Sequence, residues 1–174
     1  MARKVLLPKE LETRLNRLTS LVEEVKGVLF YRPQEEYCPL EAIFMTGVGT
    51  EGHVQANSGR LEVVNEFFGR NPDYHYVEFH THCEGTIKKY GQYYAHNFSQ
   101  QDITSLTQKL RDDAKYMHLL VTPKTKLLWG AESPTLHVVD TFPGYTQRGQ
   151  AINTAVNNIA RKRGYDIHTL PATR

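Results

Sequence analysis

The chain has 174 residues, 21 basic against 19 acidic, with 40% hydrophobic and 23% charged residues. That length suits one soluble domain with a real core, and a formal charge of +2 offers no strongly basic face or tail that would by itself argue for nucleic acid or a membrane surface. Two cysteines, Cys38 and Cys83, are too few for the disulfide framework of a small secreted domain, although one bridge stays open, and a reducing compartment is the default.

At the N-terminus the apolar run Val5 to Leu7 is stopped by Pro8 and Lys9, too early for a signal-peptide core. Charged residues punctuate every longer hydrophobic stretch, so none reaches the roughly 18 to 20 apolar residues of a membrane span. A soluble, cytoplasmic protein is expected.

Leu11, Leu15, Leu18 and Leu21 recur at helical spacing and predict an amphipathic helix over 10–22. Strands are predicted at 25–31 and 42–48, the second closed by the Gly-rich GVGTEGH, with a weak strand at 54–58. A helix over 60–68 places Leu61, Val64, Phe67 and Phe68 on one side and stops at Gly69. The β-branched and aromatic segment 74–79 reads as a strand that delivers His80 and His82 at its end. Residues 84–97 have no regular pattern. A helix from Ser99 to Leu110 follows, with Ile103, Leu106 and Leu110 inward, then strands at 116–122, 126–129 and 136–140 and a helix over 147–162. No repeat, low-complexity tract or linker divides the chain, so residues 1–174 read as a single mixed α/β domain, with 164–174 as a tail that can extend from it.

Chemistry concentrates in three places. His80 and His82 flank Thr81, and residues two apart on a strand point the same way, so both imidazoles can converge on one metal ion. Ser99 and Asp102 start the next helix; the pattern S-x-x-D is a capping box, and its carboxylate can also complete a site of two imidazoles, one carboxylate and an open position, the donor set of hydrolytic zinc. Glu24, three residues before Gly27, stands at the start of a hydrophobic strand.

Taken together, E-x-x-G, H-x-H and S-x-x-D, in that order and over residues 11–130, resemble the JAMM motif of the MPN-domain zinc metalloproteases. The resemblance implies an α/β fold of MPN type, a mixed, curved β-sheet flanked by helices and similar to that of cytidine deaminases. It carries over His80, His82 and Asp102 as ligands of one zinc ion, Glu24 as general base and Ser99 as oxyanion donor. It further implies hydrolysis of an isopeptide or peptide bond at the C-terminus of ubiquitin, a ubiquitin-like protein or a sulfur-carrier protein. A non-catalytic MPN scaffold and a hydrolase acting on another amide are the alternatives. Nucleic acid is not an expected partner, since Arg161, Lys162 and Arg163 suit the C-terminal end of the last helix and its dipole.

Two departures from the family pattern stand out. Cys83, rather than proline, follows His82, and sixteen residues, Cys83 to Phe98, precede Ser99, more than is usual. Within that insertion Tyr90, Tyr93, Tyr94 and Phe98 either contact substrate, as a lid would, or pack locally. Cys83 reads as a small buried hydrophobe, with zinc ligation and pairing to Cys38 as the lesser options. The remaining histidines, His53, His75, His96, His118, His137 and His168, fit no motif.

Overall fold

A computed structural model describes residues 4–34, 36–50, 53–130, 134–140 and 145–165, with the side chains of residues 94, 145 and 146 outside that set. Its elements are β1 (Lys4–Pro8), α1 (Lys9–Thr19), β2 (Val25–Tyr31), β3 (Tyr37–Val48), α2 (Ser58–Arg70), β4 (His75–Thr81), α3 (Glu84–Tyr90), α4 (Gln92–Ala95), α5 (Gln100–Asp112), β5 (Met117–Val121), β6 (Lys126–Gly130), β7 (Thr135–Val139) and α6 (Tyr145–Lys162).

The strands form one seven-stranded sheet in the order β6-β5-β4-β2-β3-β1-β7. It is mixed: β2 runs antiparallel to both β3 and β4, and β5 antiparallel to β6, whereas β4 is parallel to β5 and β1 is parallel to both of its neighbours. Alternation along the strands splits the core between two faces. On one, Val25, Leu29, Val77, Phe79, Leu119 and their neighbours pack on Leu11 and Leu15 of α1. On the other, Val28, Phe30, Ala42 and Phe44 meet Val63, Val64 and Phe67 of α2 and Ile152, Val156 and Ile159 of α6. Gly149 lets α6 approach this face, because a Cβ there would run into the carbonyl of Glu41.

Most predicted elements are present, with corrections. The N-terminal helix ends at Thr19 rather than residue 22, leaving Val22 58% exposed beyond it. Residues 54–57 are not a strand; Asn57 instead caps α2 by accepting the N–H of Arg60 at 3.1 Å. The inward face of α2 is made by Val63, Val64 and Phe67, while Leu61 faces outward. Ile103 is likewise exposed, and only Leu106 of α5 is fully buried. The segment without pattern holds α3 and α4. The unpredicted β1 buries Val5 and Leu7 between β3 and β7. Of the tail, residues 166–174 lie outside the described set.

The crossover between the parallel strands β4 and β5 positions the site. It contains α3, α4 and α5, and α5 lies on the face from which Glu78 and His80 project, tied there by Lys109, whose ammonium donates to Glu78 at 2.7 Å.

Candidate metal centre

His80 and His82 leave the end of β4 on the same side, as their spacing requires. Both are buried, each 6% exposed. Their Nε2 atoms lie 3.3 Å apart, and the Asp102 carboxylate faces them, Oδ1 at 3.5 Å from His80 Nε2 and Oδ2 at 3.6 Å from His82 Nε2. Among the described residues these three form a group whose ligand atoms all lie within 4.8 Å of one another.

The capping box and the ligand role of Asp102 prove compatible. Ser99 Oγ accepts the N–H of Asp102 at 3.0 Å, and Asp102 Oδ2 accepts the N–H of Ser99 at 2.8 Å. The box therefore holds the carboxylate in the rotamer that faces the imidazoles. Burial alone would raise its pKa, but the facing imidazoles of His80 and His82 and the Ser99 N–H outweigh that and hold it far below the usual carboxylate range.

The other nitrogens of the two rings are also engaged. His82 Nδ1 donates to the carbonyl of Ala95 at 2.9 Å, and His80 Nδ1 lies 2.6 Å from Nε2 of His118. With Nδ1 protonated on each ring, both Nε2 lone pairs and the ionised carboxylate converge as acceptors. Three facing acceptors repel unless a cation lies among them, so the donor set fits a metal ion. Burial lowers the pKa of His80 despite the opposing pull of Asp102. Burial also lowers that of His82, but the adjacent carboxylates of Asp102 and Glu24 win and raise it.

Glu24, 3% exposed, immediately precedes β2. Thr81, between the two histidines, points to the other side and accepts the N–H of Val25 at 2.8 Å, which fastens the Glu24 segment to the histidine strand. Gly27 is needed beside it: a Cβ there would come within 2.6 Å of the Phe79 ring and of the Phe44 carbonyl, displacing the residue that precedes His80. Glu24, Ser99 and the triad line one cleft of about 600 Å³, whose walls include Val54, Gln55, Tyr90 and Leu106.

The insertion contributes to this site. Thr86 of α3 donates to Glu24 Oε1 at 2.9 Å, Ala95 at the end of α4 supplies the carbonyl for His82, and Phe98 packs against His80, His118 and Trp129. Tyr90 reaches the cleft, whereas Tyr93 is 80% exposed and not part of its lining. The Tyr94 side chain lies outside the described residues. Cys83 is buried, its thiol donating to the Val22 carbonyl at 3.0 Å, and Cys38 is buried in the α1-side core; no disulfide joins the two. Neither is in the metal-capable group. Arg163 pairs with Glu62 and Glu66 of α2.

Sequence reasoning missed His118, Thr86 and Ala95. His118 had one signal, an imidazole inside the apolar run of β5. It is buried, and burial beside His80 and two lysines holds its pKa well below the ordinary histidine value.

No protein-family model matches the chain, and no curated protein does. Among solved structures, it is similar to the solution structure of protein DSY2949 from Desulfitobacterium hafniense, with a TM-score of 0.51 and 13% identity, over 80% of this chain and 95% of that one. That likeness concerns the mixed α/β fold alone. No helix of the described residues is long and apolar enough to cross a membrane.

Proposed function

We propose that this protein is a zinc-dependent hydrolase of the JAMM/MPN type that cleaves an isopeptide or peptide bond at the C-terminus of ubiquitin or of a ubiquitin-like or sulfur-carrier modifier. The observation that carries the reading is the shared cleft: a buried carboxylate, Glu24, lines the same cavity as the His80, His82 and Asp102 triad. Two ligands of a tetrahedral zinc ion, bound at about 2.0 to 2.1 Å, lie roughly 3.3 to 3.4 Å apart, and the two Nε2 atoms are 3.3 Å apart.

His80 and His82 through Nε2, and Asp102 through its carboxylate, would hold the ion. Zinc bound there supplies Lewis acidity, which acidifies water to a pKa of about 7 and polarises the scissile carbonyl. Glu24 takes the proton of the attacking water on its carboxylate and returns it to the leaving amine, a contribution of about 10² to 10⁴ in rate. The Thr86 hydroxyl fixes Glu24 for this task. The Ser99 hydroxyl oxygen accepts the Asp102 N–H, which leaves its proton to donate to the tetrahedral oxyanion, worth about 3 to 4 kcal/mol by comparison with other such donors.

The test joins metal analysis of the purified protein to a chelator-sensitive cleavage assay on modifier conjugates, with Glu24→Gln as control. About one zinc per chain, with zinc kept and cleavage lost in the control, is expected. Zinc without cleavage of any conjugate would reject the modifier substrate in favour of a scaffold or another amide, and absence of zinc would reject the metal reading.

A further inference from the structure

A chain of hydrogen bonds runs from His80 through His118, which also lines the cleft. His80 Nδ1 meets His118 Nε2 at 2.6 Å; His118 Nδ1 meets the Tyr116 hydroxyl at 2.8 Å; that hydroxyl donates to Glu78 Oε2 at 3.1 Å. Glu78 in turn accepts from Lys109 at 2.7 Å and lies 3.6 Å from the Lys26 ammonium. The fold builds this row deliberately by register: Glu78 pairs with His118 across the parallel β4–β5 ladder, and Lys26 with His80 across β2–β4.

The direction of every proton in the row is set at its far end. Ammonium groups only donate, and a carboxylate held between two of them only accepts. Tyr116 must therefore donate to Glu78, and its oxygen accepts from His118 Nδ1–H. A neutral His118 then carries a lone pair on Nε2. His80 can satisfy that lone pair only by donating from Nδ1, and this leaves its own lone pair on Nε2, facing His82 and Asp102.

We propose that the row Glu78, Tyr116 and His118 sets the tautomer of His80, so that a lysine-held carboxylate at the far end of the row keeps the imidazole in its metal-binding form. His118, Tyr116 and Glu78 are positioning residues in this scheme. It rests on the reading of His80 as a ligand, but the tautomer itself exists without metal. The opposite tautomer would place a hydrogen on Nε2, where it blocks ligation.

The discriminating substitution is Tyr116→Phe. It keeps the ring and removes the acceptor of the His118 Nδ1–H, so His118 can turn its hydrogen toward His80 instead. Two readouts on the folded, full-length protein are needed: the tautomer of His80 from imidazole nitrogen shifts in the metal-free protein, and cobalt or zinc affinity by competition with a chelator. Wild type should show His80 protonated at Nδ1. Tyr116→Phe should mix the tautomers and weaken metal binding about 10- to 100-fold, the range for loss of a group that orients a ligand. His118→Gln, whose amide oxygen can accept the His80 Nδ1–H, should retain more affinity than His118→Phe. A wild-type His80 protonated at Nε2, or a Tyr116→Phe protein with unchanged tautomer and affinity, would overturn the proposal. A wild type with the expected tautomer, whose tautomers mix in Tyr116→Phe but which binds no metal, would uphold the relay and reject the metal site instead.

Discussion

Asp102→Asn separates metal binding from folding. The amide keeps the carboxylate's shape and an oxygen to accept the Ser99 N–H, now bonded at 2.8 Å, and Ser99 Oγ still accepts the backbone N–H of residue 102. One charge-assisted bond thus becomes a neutral one, which costs about 1 kcal/mol and lowers Tm by about 2 to 4 °C in a domain of this size. The effect on metal is larger. Loss of a group that only orients a ligand costs about 10- to 100-fold, so loss of the triad's one carboxylate should exceed roughly 100-fold, or about 2.7 kcal/mol. At zinc near 100 times Kd, binding adds about 2.7 kcal/mol to wild type, a rise in Tm of roughly 5 to 11 °C. The variant at the same zinc concentration sits near its own Kd and gains only about 0.4 kcal/mol. Melting curves in chelator and in zinc measure both terms. Equal zinc-induced shifts in the two proteins would refute Asp102 as a ligand, and a fall far beyond 4 °C in chelator would refute the cap arithmetic behind that estimate.

Thr81→Val should strand the buried N–H of Val25, now bonded to Thr81 Oγ1 at 2.8 Å, at a cost of about 1 to 3 kcal/mol; thermal melts should show the loss and Thr81→Ser should restore most of it, whereas a Val variant as stable as wild type would mean the tie contributes nothing. Burial alone would raise the pKa of Glu78, but Lys26 and Lys109 outweigh it and hold it below the ordinary 4.5. A depressed folded value means stability that is fully present above the unfolded pKa and lost as pH falls through the folded one. The stability gap between wild type and Glu78→Gln, from urea melts, should therefore be wide at neutral pH and shrink below about pH 4; a gap constant with pH would show that the charge of Glu78 does not matter.

Local sequence carried the motif because its geometry is local. Two histidines on one strand share a face whatever the strand packs against, and the capping box of Ser99 and Asp102 closes within four residues. The insertion was harder to read. Of its aromatic residues, Tyr90 lines the cleft and Phe98 packs on His80, while two further supports of the site, Thr86 and the backbone carbonyl of Ala95, carry no such signal. A carbonyl leaves no mark in sequence, and a threonine in a helix of seven residues has nothing to distinguish it.

By itself, the sequence determined the amphipathic face of α1, the strand that ends in His80 and His82, and the carboxylate held at the start of α5, since side-chain period and capping depend on near neighbours. Only the tertiary structure decided the rest. Val5 to Leu7 become a strand because β3 and β7 flank them on both sides; Glu24 reaches the cleft because Thr81 holds the start of β2 across 56 residues of chain; and His118 meets His80 because β4 and β5 pair in parallel, in a register that the crossover through α3, α4 and α5 sets. Contacts between residues far apart in the chain depend on which surfaces bury together, and that is settled by the packing of the whole sheet rather than by any one segment.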